Sequence, residues 1–327
     1  MIIYIFRRFF FMIVLMVLMS IFSFIVIQLP PGDYLTSYIV QLESTGARVT
    51  DAQVEALKRQ YGLDLPFHQR YIKWAGGMLR GDFGLSYQWN RPIAELIKER
   101  LPLSVAISLV TVTFTYIIAI PIGVYAATHP NTPFDYILTV IGFAGMAMPN
   151  FLLALIAMFL LYKYFGFAVT GLFSPEYQDA PWSLGRFLDL LKNMWMPVVV
   201  VGVAGIARVI RVMRACLLDE LQKPYVETAR TKGLTERRLL WKYPVRVALN
   251  PIISTIGWLL PWVISGETIT AIVLNLPTVG PLLLQALVNQ DTYLAGTLTM
   301  LLTFMTLVGM FLSDILLVWA DPRIRLD

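Results

Sequence analysis

The chain has 327 residues, of which 57% are hydrophobic and 14% charged, and its formal net charge at pH 7 is +5. A soluble domain of this length needs about a quarter charged residues to cover its surface, so the composition excludes an ordinary soluble protein. The basic residues cluster beside apolar runs, a distribution that favours membrane orientation over nucleic-acid binding. Cys216 is the single cysteine, which excludes an intrachain disulfide, and His68 and His129 have no neighbour at metal-ligand spacing.

The first apolar run extends from Phe9 to Ile27, directly after two arginines. As a helix it covers roughly 28 Å, which matches the hydrocarbon core of a bilayer. It is longer than the apolar region of a signal peptide and ends in a polar Pro-Pro-Gly-Asp stretch, so we predict a retained transmembrane helix. Five more apolar runs predict further spans at about 102–127, 136–162, 195–215, 246–274 and 293–319.

These runs predict an all-α polytopic membrane protein with six transmembrane helices. Residues 1–29 form the N-terminal transmembrane helix, residues 30–100 an extracytoplasmic helical segment, and residues 101–327 a five-helix core. In the second of these, a capping box at 50–53 predicts one helix, and Phe67 to Leu79 predicts an amphipathic one. We interpret residues 163–194 as an aromatic- and proline-containing loop. An excess of Lys and Arg in the loop 216–245 places both termini in the cytoplasm.

The loop 216–245 contains a short helix–glycine–helix pattern between residues 223 and 243. Pro224 suits the first helical position, and Gly233 permits the chain to leave the helix. Tyr225, Ala229 and Gly233 share one face at spacings of four residues, so small side chains there would allow a partner surface to approach closely. A solvated basic loop and a DNA-reading helix-turn-helix are the alternative interpretations, and the tightly flanking spans argue against the second.

The segment Glu227-Thr228-Ala229-Arg230-Thr231-Lys232-Gly233 resembles the Glu-Ala-Ala-x-x-x-Gly signature of binding-protein-dependent permeases of the ATP-binding-cassette class. The whole chain resembles the first permease subunit of the oligopeptide and dipeptide branch. Further matching fragments, in chain order, are 31–33, 61–64, 81–86, 100–102, 149–151, 211–214 and 225–234.

The resemblance implies an importer permease that forms the translocation pathway and couples it to separate ATPases. Its implied partners are a second homologous permease, two cytoplasmic ATPase subunits, an extracytoplasmic substrate-binding protein and membrane lipid, with no nucleic acid. The chain has no Gly-rich phosphate loop, so we expect no enzyme activity and no cofactor or metal of its own, with ATP and Mg in the partner subunits. The implied location is the cytoplasmic (inner) membrane of a bacterium or archaeon.

The residues expected to contact the ATPase follow from the match to the signature. They are Tyr225, Val226, Glu227, Thr228, Ala229, Arg230, Lys232, Gly233 and Leu234. Thr228 departs from the Ala of the signature, and Tyr243-Pro244 replaces a downstream Leu-Pro, which blurs the end of the element. A Glu that related chains carry before the segment 276–280 corresponds here to Ala271, with Glu267 one helical turn earlier.

Three residues in predicted spans are candidates for the pathway or its gate. Glu267 is a carboxylate inside an apolar run, where charge is costly, so it either lines the pathway or forms a buried bond between helices. Pro149 predicts a helix kink that could act as a hinge. Trp262 lies near a span end, where it belongs to an interfacial belt or offers a stacking platform. Asp314 favours a structural role.

Other functions remain open at this point. The same architecture imports oligosaccharides in some relatives and nickel in others, although no Met, His or Cys cluster suits a soft-metal path. A stand-alone secondary transporter or channel predicts internal repeats or paired ionisable residues, which the sequence lacks. No motif of a membrane-embedded enzyme is present.

Overall fold

The computed structural model describes residues 2–29, 64–167 and 170–320, together with residues 35, 39, 54–56, 58 and 59. Most of the described residues are helical, with a 3-10 turn at Pro175–Tyr177. In chain order, the first seven described helices are α1 (Ile2–Gln28), α2 (Phe67–Leu79), α3 (Ile93–Thr128), α4 (Pro133–Ala147), α5 (Asn150–Phe165), α6 (Leu184–Asn193) and α7 (Trp195–Leu221). The remainder are α8 (Pro224–Thr231), α9 (Glu236–Lys242), α10 (Pro244–Ala248), α11 (Asn250–Gly266), α12 (Thr268–Val273), α13 (Val279–Val288) and α14 (Thr292–Ala320).

Within the described residues, four helices are long and apolar enough to cross a membrane. They are Phe6–Gln28, Ile93–Thr128, Trp195–Leu221 and Thr292–Trp319. A fifth crossing is added if α4 and α5 count as one span, although these helices are bent by 101° at the break between them. Pro149 precedes α5 in extended conformation (φ −61°, ψ 136°), so the predicted kink is a sharp break.

The predicted span at 246–274 is not one continuous helix. It is divided into the end of α10, then α11, then α12, with breaks at Leu249 and at Glu267. The longest piece, α11, has 17 residues and covers roughly 25 Å. Pro251 lies in the first turn of α11, where its missing amide hydrogen costs nothing.

The chain forms two compact units. The N-terminal unit consists of residues 2–103 and 278–305. Its aromatic centre joins α1, α2 and the start of α14, where Phe24 stacks on Trp74 at 5.3 Å and both pack with Met300. The Trp74 indole donates to the Thr297 hydroxyl at 3.3 Å, so its buried N–H is satisfied.

The core unit consists of residues 104–277 and 306–327, of which the structure describes the helical parts up to Ala320. At one end of it, α3, α7, α10 and α11 pack around a buried cluster. Its members are Val124, Ala127, Met213, Leu217, Val245, Ala248 and Ile252. Gly123 lies at the closest approach, since a Cβ atom there would be 2.7 Å from the Met213 Cβ atom.

Of two segments between the spans, the first agrees with its sequence interpretation where it is described and the second does not. The amphipathic helix predicted from Phe67 to Leu79 is confirmed, whereas for the helix predicted after the capping box at 50–53 the structure describes only residues 54–56, 58 and 59, which are helical. The predicted loop 163–194 contains the helix α6, whose N-cap is the Ser183 hydroxyl accepting from the Arg186 amide.

Candidate functional site

The segment 223–243, called here the coupling element, folds as a compact pair of short helices. Pro224 occupies the first turn of α8, and the Thr228 hydroxyl donates back to the Pro224 carbonyl at 2.9 Å. Gly233 then adopts φ +79°, a left-handed conformation that glycine reaches without steric cost, and α9 follows. The predicted exit from the helix at Gly233 is confirmed.

Of the face formed by Tyr225, Ala229 and Gly233, only Ala229 packs against α9, whereas Tyr225 and Gly233 are exposed. Val226 is fully buried, Ala229 is 7% exposed, and both pack on the fully buried Leu239 of α9. Leu234 and Tyr243 complete this centre from the flanks. The expectation that Ala229 forms a partner-facing surface therefore needs correction, because its small side chain allows the chain's own second helix to approach.

The outer surface of the coupling element is charged. Glu227, Thr228, Arg230 and Lys232 are exposed, and Tyr225 is 36% exposed with its hydroxyl donating to Glu220 at 2.5 Å. Arg230 forms a bidentate pair with Glu236 across the turn, at 2.6 and 3.2 Å. The hydrogen bonds from Arg230 lower the pKa of the Glu236 carboxyl below its ordinary value, so this pair stays ionised at neutral pH.

The coupling element is anchored at both ends to the same buried cluster of the core unit. Met213 and Leu217 lead into it from α7, and Val245 and Ala248 follow it in α10. Next to this cluster, Arg214 donates two hydrogen bonds of 2.7 Å to the carboxylate of Asp135 in the first turn of α4. The buried cluster at the ends of the element therefore joins it to α3, α7, α10 and α11.

The structure brings two of the pathway candidates together. Asn150, the residue after Pro149, donates from its side-chain amide to Glu267 at 2.7 Å, and the Thr270 hydroxyl donates to the other Glu267 oxygen at 2.9 Å. Glu267 is 9% exposed and lies at the break between α11 and α12. The Glu267 carboxylate therefore forms a buried hydrogen bond between helices, one of its two interpretations from the sequence.

The third pathway candidate, Trp262, forms a cation–π contact with Arg208. The Arg208 guanidinium of α7 stacks over its ring with 5.1 Å between the guanidinium carbon and the ring centroid. Arg208 is exposed although α7 is one of the spanning helices. An arginine in such a helix faces water or a polar partner, because burial in lipid is costly.

Sequence reasoning missed three buried carboxylates, of which Asp189 is 8% exposed. Asp135 is 3% exposed and Asp291 fully buried, and both of these lie at or next to a helix start. The signal for Asp135 was available, since Thr132 and Pro133 begin a helix and Asp is favoured in a first turn. Asp291 accepts from the Ser86 hydroxyl 205 residues away in sequence, a pairing that local spacing cannot reveal.

Comparisons with known proteins identify the family to which the chain belongs. Residues 119–326 match the family model described as binding-protein-dependent transport system inner membrane component, and residues 1–110 match the model of its N-terminal part. The oligopeptide transport system permease protein AppB of Bacillus subtilis (strain 168) is 32% identical over 323 residues, covering 98% of this chain and 99% of the relative. The permease protein OppB of the Haemophilus influenzae oligopeptide transport system is 28% identical, covering 93% of each chain.

Among solved structures, a chain of the MetNI methionine ABC transporter in inward-facing conformations superposes with a TM-score of 0.52. It is 16% identical and covers 70% of this chain and 97% of that chain, so the likeness supports the fold alone.

The fold and the family matches define a multi-span membrane component of a transporter. The chain belongs to the family of binding-protein-dependent transport system inner membrane components. It is thus the permease subunit of an ATP-binding-cassette importer in the inner membrane, working with an ATPase and a binding protein, and it is not the catalytic subunit.

Proposed function

We propose that this permease imports oligopeptides or dipeptides, with the coupling element as its contact to the ATPase. Family membership identifies the chain as a permease of an ATP-binding-cassette importer. Relatives named for oligopeptide transport match nearly the whole chain. The observation that carries the coupling role is the compact pair α8 and α9, exposed on its charged side and anchored at both ends to the spans.

The assembly proposed is a heterodimer of this chain with a second homologous permease, two cytoplasmic ATPase subunits and an extracytoplasmic binding protein. The chain crosses the membrane six times, with both termini in the cytoplasm. The pair α11 and α12 supplies the sixth crossing, in addition to the four long helices and the bent pair α4 and α5. The proposed organisation is an N-terminal transmembrane helix at 1–29, an extracytoplasmic segment at 30–100 and a permease core at 101–327.

Contact with the ATPase falls to the exposed residues of the coupling element. These are Tyr225, Glu227, Thr228, Arg230 and Lys232, with Gly233 setting the turn. Val226, Ala229 and Leu234 support them from the centre of the element. Because exposed charges guide association more than they add affinity, the charged surface serves to orient the two subunits.

In the membrane, we assign the pathway wall to the region of Trp262 and the hinge to the break at Pro149. Glu267 holds the two sides of this region together through Asn150 and Thr270. When the ATPases close, motion of α7 reaches α4 through Arg214 and Asp135, and the break at Pro149 separates that motion from α5.

The test replaces Gly233 by Val in the complete transporter and measures peptide uptake and ATP hydrolysis in proteoliposomes. Valine at φ +79° costs about 1–2 kcal/mol of local strain, and its Cβ atom meets nothing within 4 Å, so the chain still folds. We expect continued ATP hydrolysis with strongly reduced uptake. The matched control is Gly166→Val, at φ +68° in equally open space at the end of α5, which should leave uptake intact. Normal uptake by Gly233→Val would refute the coupling role.

Substrate class is tested separately. Cells with and without the gene are given labelled short peptides and labelled oligosaccharides, and selective loss of peptide uptake supports the proposal. Selective loss of oligosaccharide uptake would replace peptides by sugars while leaving the coupling role in place.

A further inference from the structure

A cavity of about 80 Å³ lies inside the core unit between α3, α7 and α11. Most of its lining is apolar. Its polar lining residues are Thr111, Thr115, Tyr116, Arg208 and Thr255, and Trp262 lines it beside Arg208. The polar minority therefore decides which ligand the cavity accepts, as in other small-molecule sites.

Arg208 supplies a positive charge to this cavity from within a spanning helix. It lies about 20 Å along the helix axis from Trp195, the first residue of α7. Trp262 fixes the guanidinium by stacking at 5.1 Å. Among the described residues, Arg208 forms no ion pair within 4.0 Å, and the Glu267 carboxylate interacts with its charge only at longer range.

Thr111 adds an unmatched hydroxyl to the same cavity. Its side chain is 2% exposed, and its hydroxyl oxygen has no hydrogen-bond partner in the part of the chain that the structure describes. A buried polar group without a partner costs free energy, so it either meets a ligand or marks a bound water. A carboxylate accepts hydrogen bonds from both a guanidinium and a hydroxyl, and it pairs with Arg in a planar, bidentate way.

We infer that this cavity receives the C-terminal carboxylate of a peptide during its passage, with Arg208 as the residue that binds it and Trp262 as the residue that orients Arg208. The inference rests on the proposed function for the nature of the substrate. The cavity has room for a carboxylate and a few water molecules but not for a whole peptide, so only the terminal group of the peptide binds in it.

A labelling experiment tests the charge preference without any transport. In the complete transporter, Thr255→Cys is introduced in a Cys216→Ser background, which removes the native thiol. The thiol is then treated with anionic sulfonatoethyl and cationic trimethylammonioethyl methanethiosulfonates. We expect the ratio of the anionic to the cationic labelling rate to be about tenfold higher at this site than with a free thiol. The reason is that charged clefts concentrate ions of opposite sign. Arg208→Gln should remove that preference.

The same labelled site tests the peptide end group. Trialanine should slow the labelling of Thr255→Cys, and trialanine amide, which lacks the carboxylate, should not. In uptake at saturating concentrations, Arg208→Gln should reduce the maximal rate for trialanine about tenfold and leave that for its amide within twofold, because a charge-assisted hydrogen bond is lost for one substrate only. The matched control is Arg211→Gln on the same helix, whose guanidinium stacks on Phe143 and which does not line the cavity.

Two results would overturn the inference: an anion preference unaffected by Arg208→Gln, or equal protection by the acid and the amide. A third result separates it from the proposed function. If the preference depends on Arg208 but neither peptide protects or is taken up, the peptide carboxylate is wrong as the occupant and the oligopeptide assignment falls with it. If peptides are taken up with no difference between acid and amide, the assignment stands and this site fails.

Discussion

Asp135 and Arg214 form a planar, bidentate ion pair in which each carboxylate oxygen accepts from one guanidinium nitrogen at 2.7 Å. The Asn131 amide donates to the same carboxylate at 3.0 Å. The pair joins the short turn before α4 to α7, the helix that leads into the coupling element. Because the Asp135 side chain is only 4% exposed, its carboxylate would be poorly solvated without Arg214, whose side chain is 31% exposed.

Asp135→Asn should therefore destabilise the protein by about 1–3 kcal/mol, the cost of an unsatisfied buried charge-assisted bond. The measurement is thermal or denaturant unfolding of the purified transporter. Glu236→Gln is the control, since it breaks an ion pair with 53% and 68% of its side chains exposed and should produce no measurable change. The double variant Asp135→Asn with Arg214→Gln should be no less stable than the single one, and additive losses would contradict a direct pair.

The centre of the coupling element gives a second prediction. Leu239 is fully buried against Val226 and Ala229, so Leu239→Ala should cost about 2–5 kcal/mol locally and open the helix pair. Trypsin should then cleave faster at the basic residues of the element. Trp241→Ala, two positions away at a side chain 50% exposed, is the control and should leave the cleavage rate unchanged. Equal cleavage of the two variants would show that Leu239 does not hold α8 and α9 together.

Periodicity and turn chemistry were sufficient to predict several local features of this chain. The left-handed exit at Gly233 and the amphipathic helix from Phe67 to Leu79 depend on residues close in sequence, and both are confirmed. The orientation of the small face of α8 was not predictable in this way. Spacings of four residues show that Ala229 and Tyr225 share a face, but not whether a partner or the chain's own next helix covers it.

Contacts between residues that are distant in sequence, and the angles between helices, could not be predicted from the sequence either. Pro149 predicts a kink, but the angle of 101° belongs to a packed arrangement in which Asn150 reaches Glu267 across 117 residues of sequence. The division of the predicted span 246–274 follows the same pattern. Hydropathy reports that a segment is apolar and does not report where its helix breaks, because neighbouring helices can satisfy the freed backbone groups.

Asp291 predicts an unusual pH dependence for the N-terminal unit. It accepts from the Ser86 hydroxyl at 2.5 Å and from the amides of Gln88 and Leu294 at 3.1 and 3.2 Å, yet it is fully buried. Burial raises the pKa of the Asp291 carboxyl above its ordinary value, and these hydrogen bonds only partly oppose that rise.

A raised pKa in the folded state means that the folded chain binds more protons than the unfolded one. The contribution of Asp291 to stability is therefore complete below its unfolded pKa of about 3.9 and is lost as pH rises through the folded value. Hydrogen exchange of the amides in 84–93 should accelerate, beyond intrinsic base catalysis, over that range. Asp291→Asn should abolish the pH dependence, and a slope that survives the substitution would exclude Asp291 as its source.

Asp189 predicts the opposite sign. Burial would raise the pKa of its carboxyl, but hydrogen bonds from the Ser174 amide at 2.7 Å and hydroxyl at 2.6 Å outweigh it, and the pKa lies below its ordinary value. The contribution of Asp189 is present above the unfolded pKa and is lost as pH falls through the folded one. Exchange of the Ser174 amide, corrected for its intrinsic rate, should accelerate on acidification, and Asp189→Asn should remove that response. An unchanged response would mean that another group holds the segment before α6.

The close packing of α3 on α7 gives the last prediction. A Cβ atom at Gly123 would lie 2.7 Å from the Met213 Cβ atom and 3.1 Å from the Ile210 carbonyl oxygen, so neither contact can be relieved by rotating a side chain. Gly123→Ala should therefore push the helices apart and cost about 1–3 kcal/mol, as overpacking does elsewhere. Gly142→Ala is the matched control, since its nearest neighbour is the Ala207 Cβ atom at 3.9 Å. Alanine has the higher helix propensity, so the control should be neutral or slightly stabilising.

Thermal unfolding of the two variants distinguishes them. Because Gly123 packs on the helix that leads into the coupling element, Gly123→Ala should also lower the uptake obtained per ATP hydrolysed. Equal stability of the two variants would show that α3 and α7 are not in contact at Gly123.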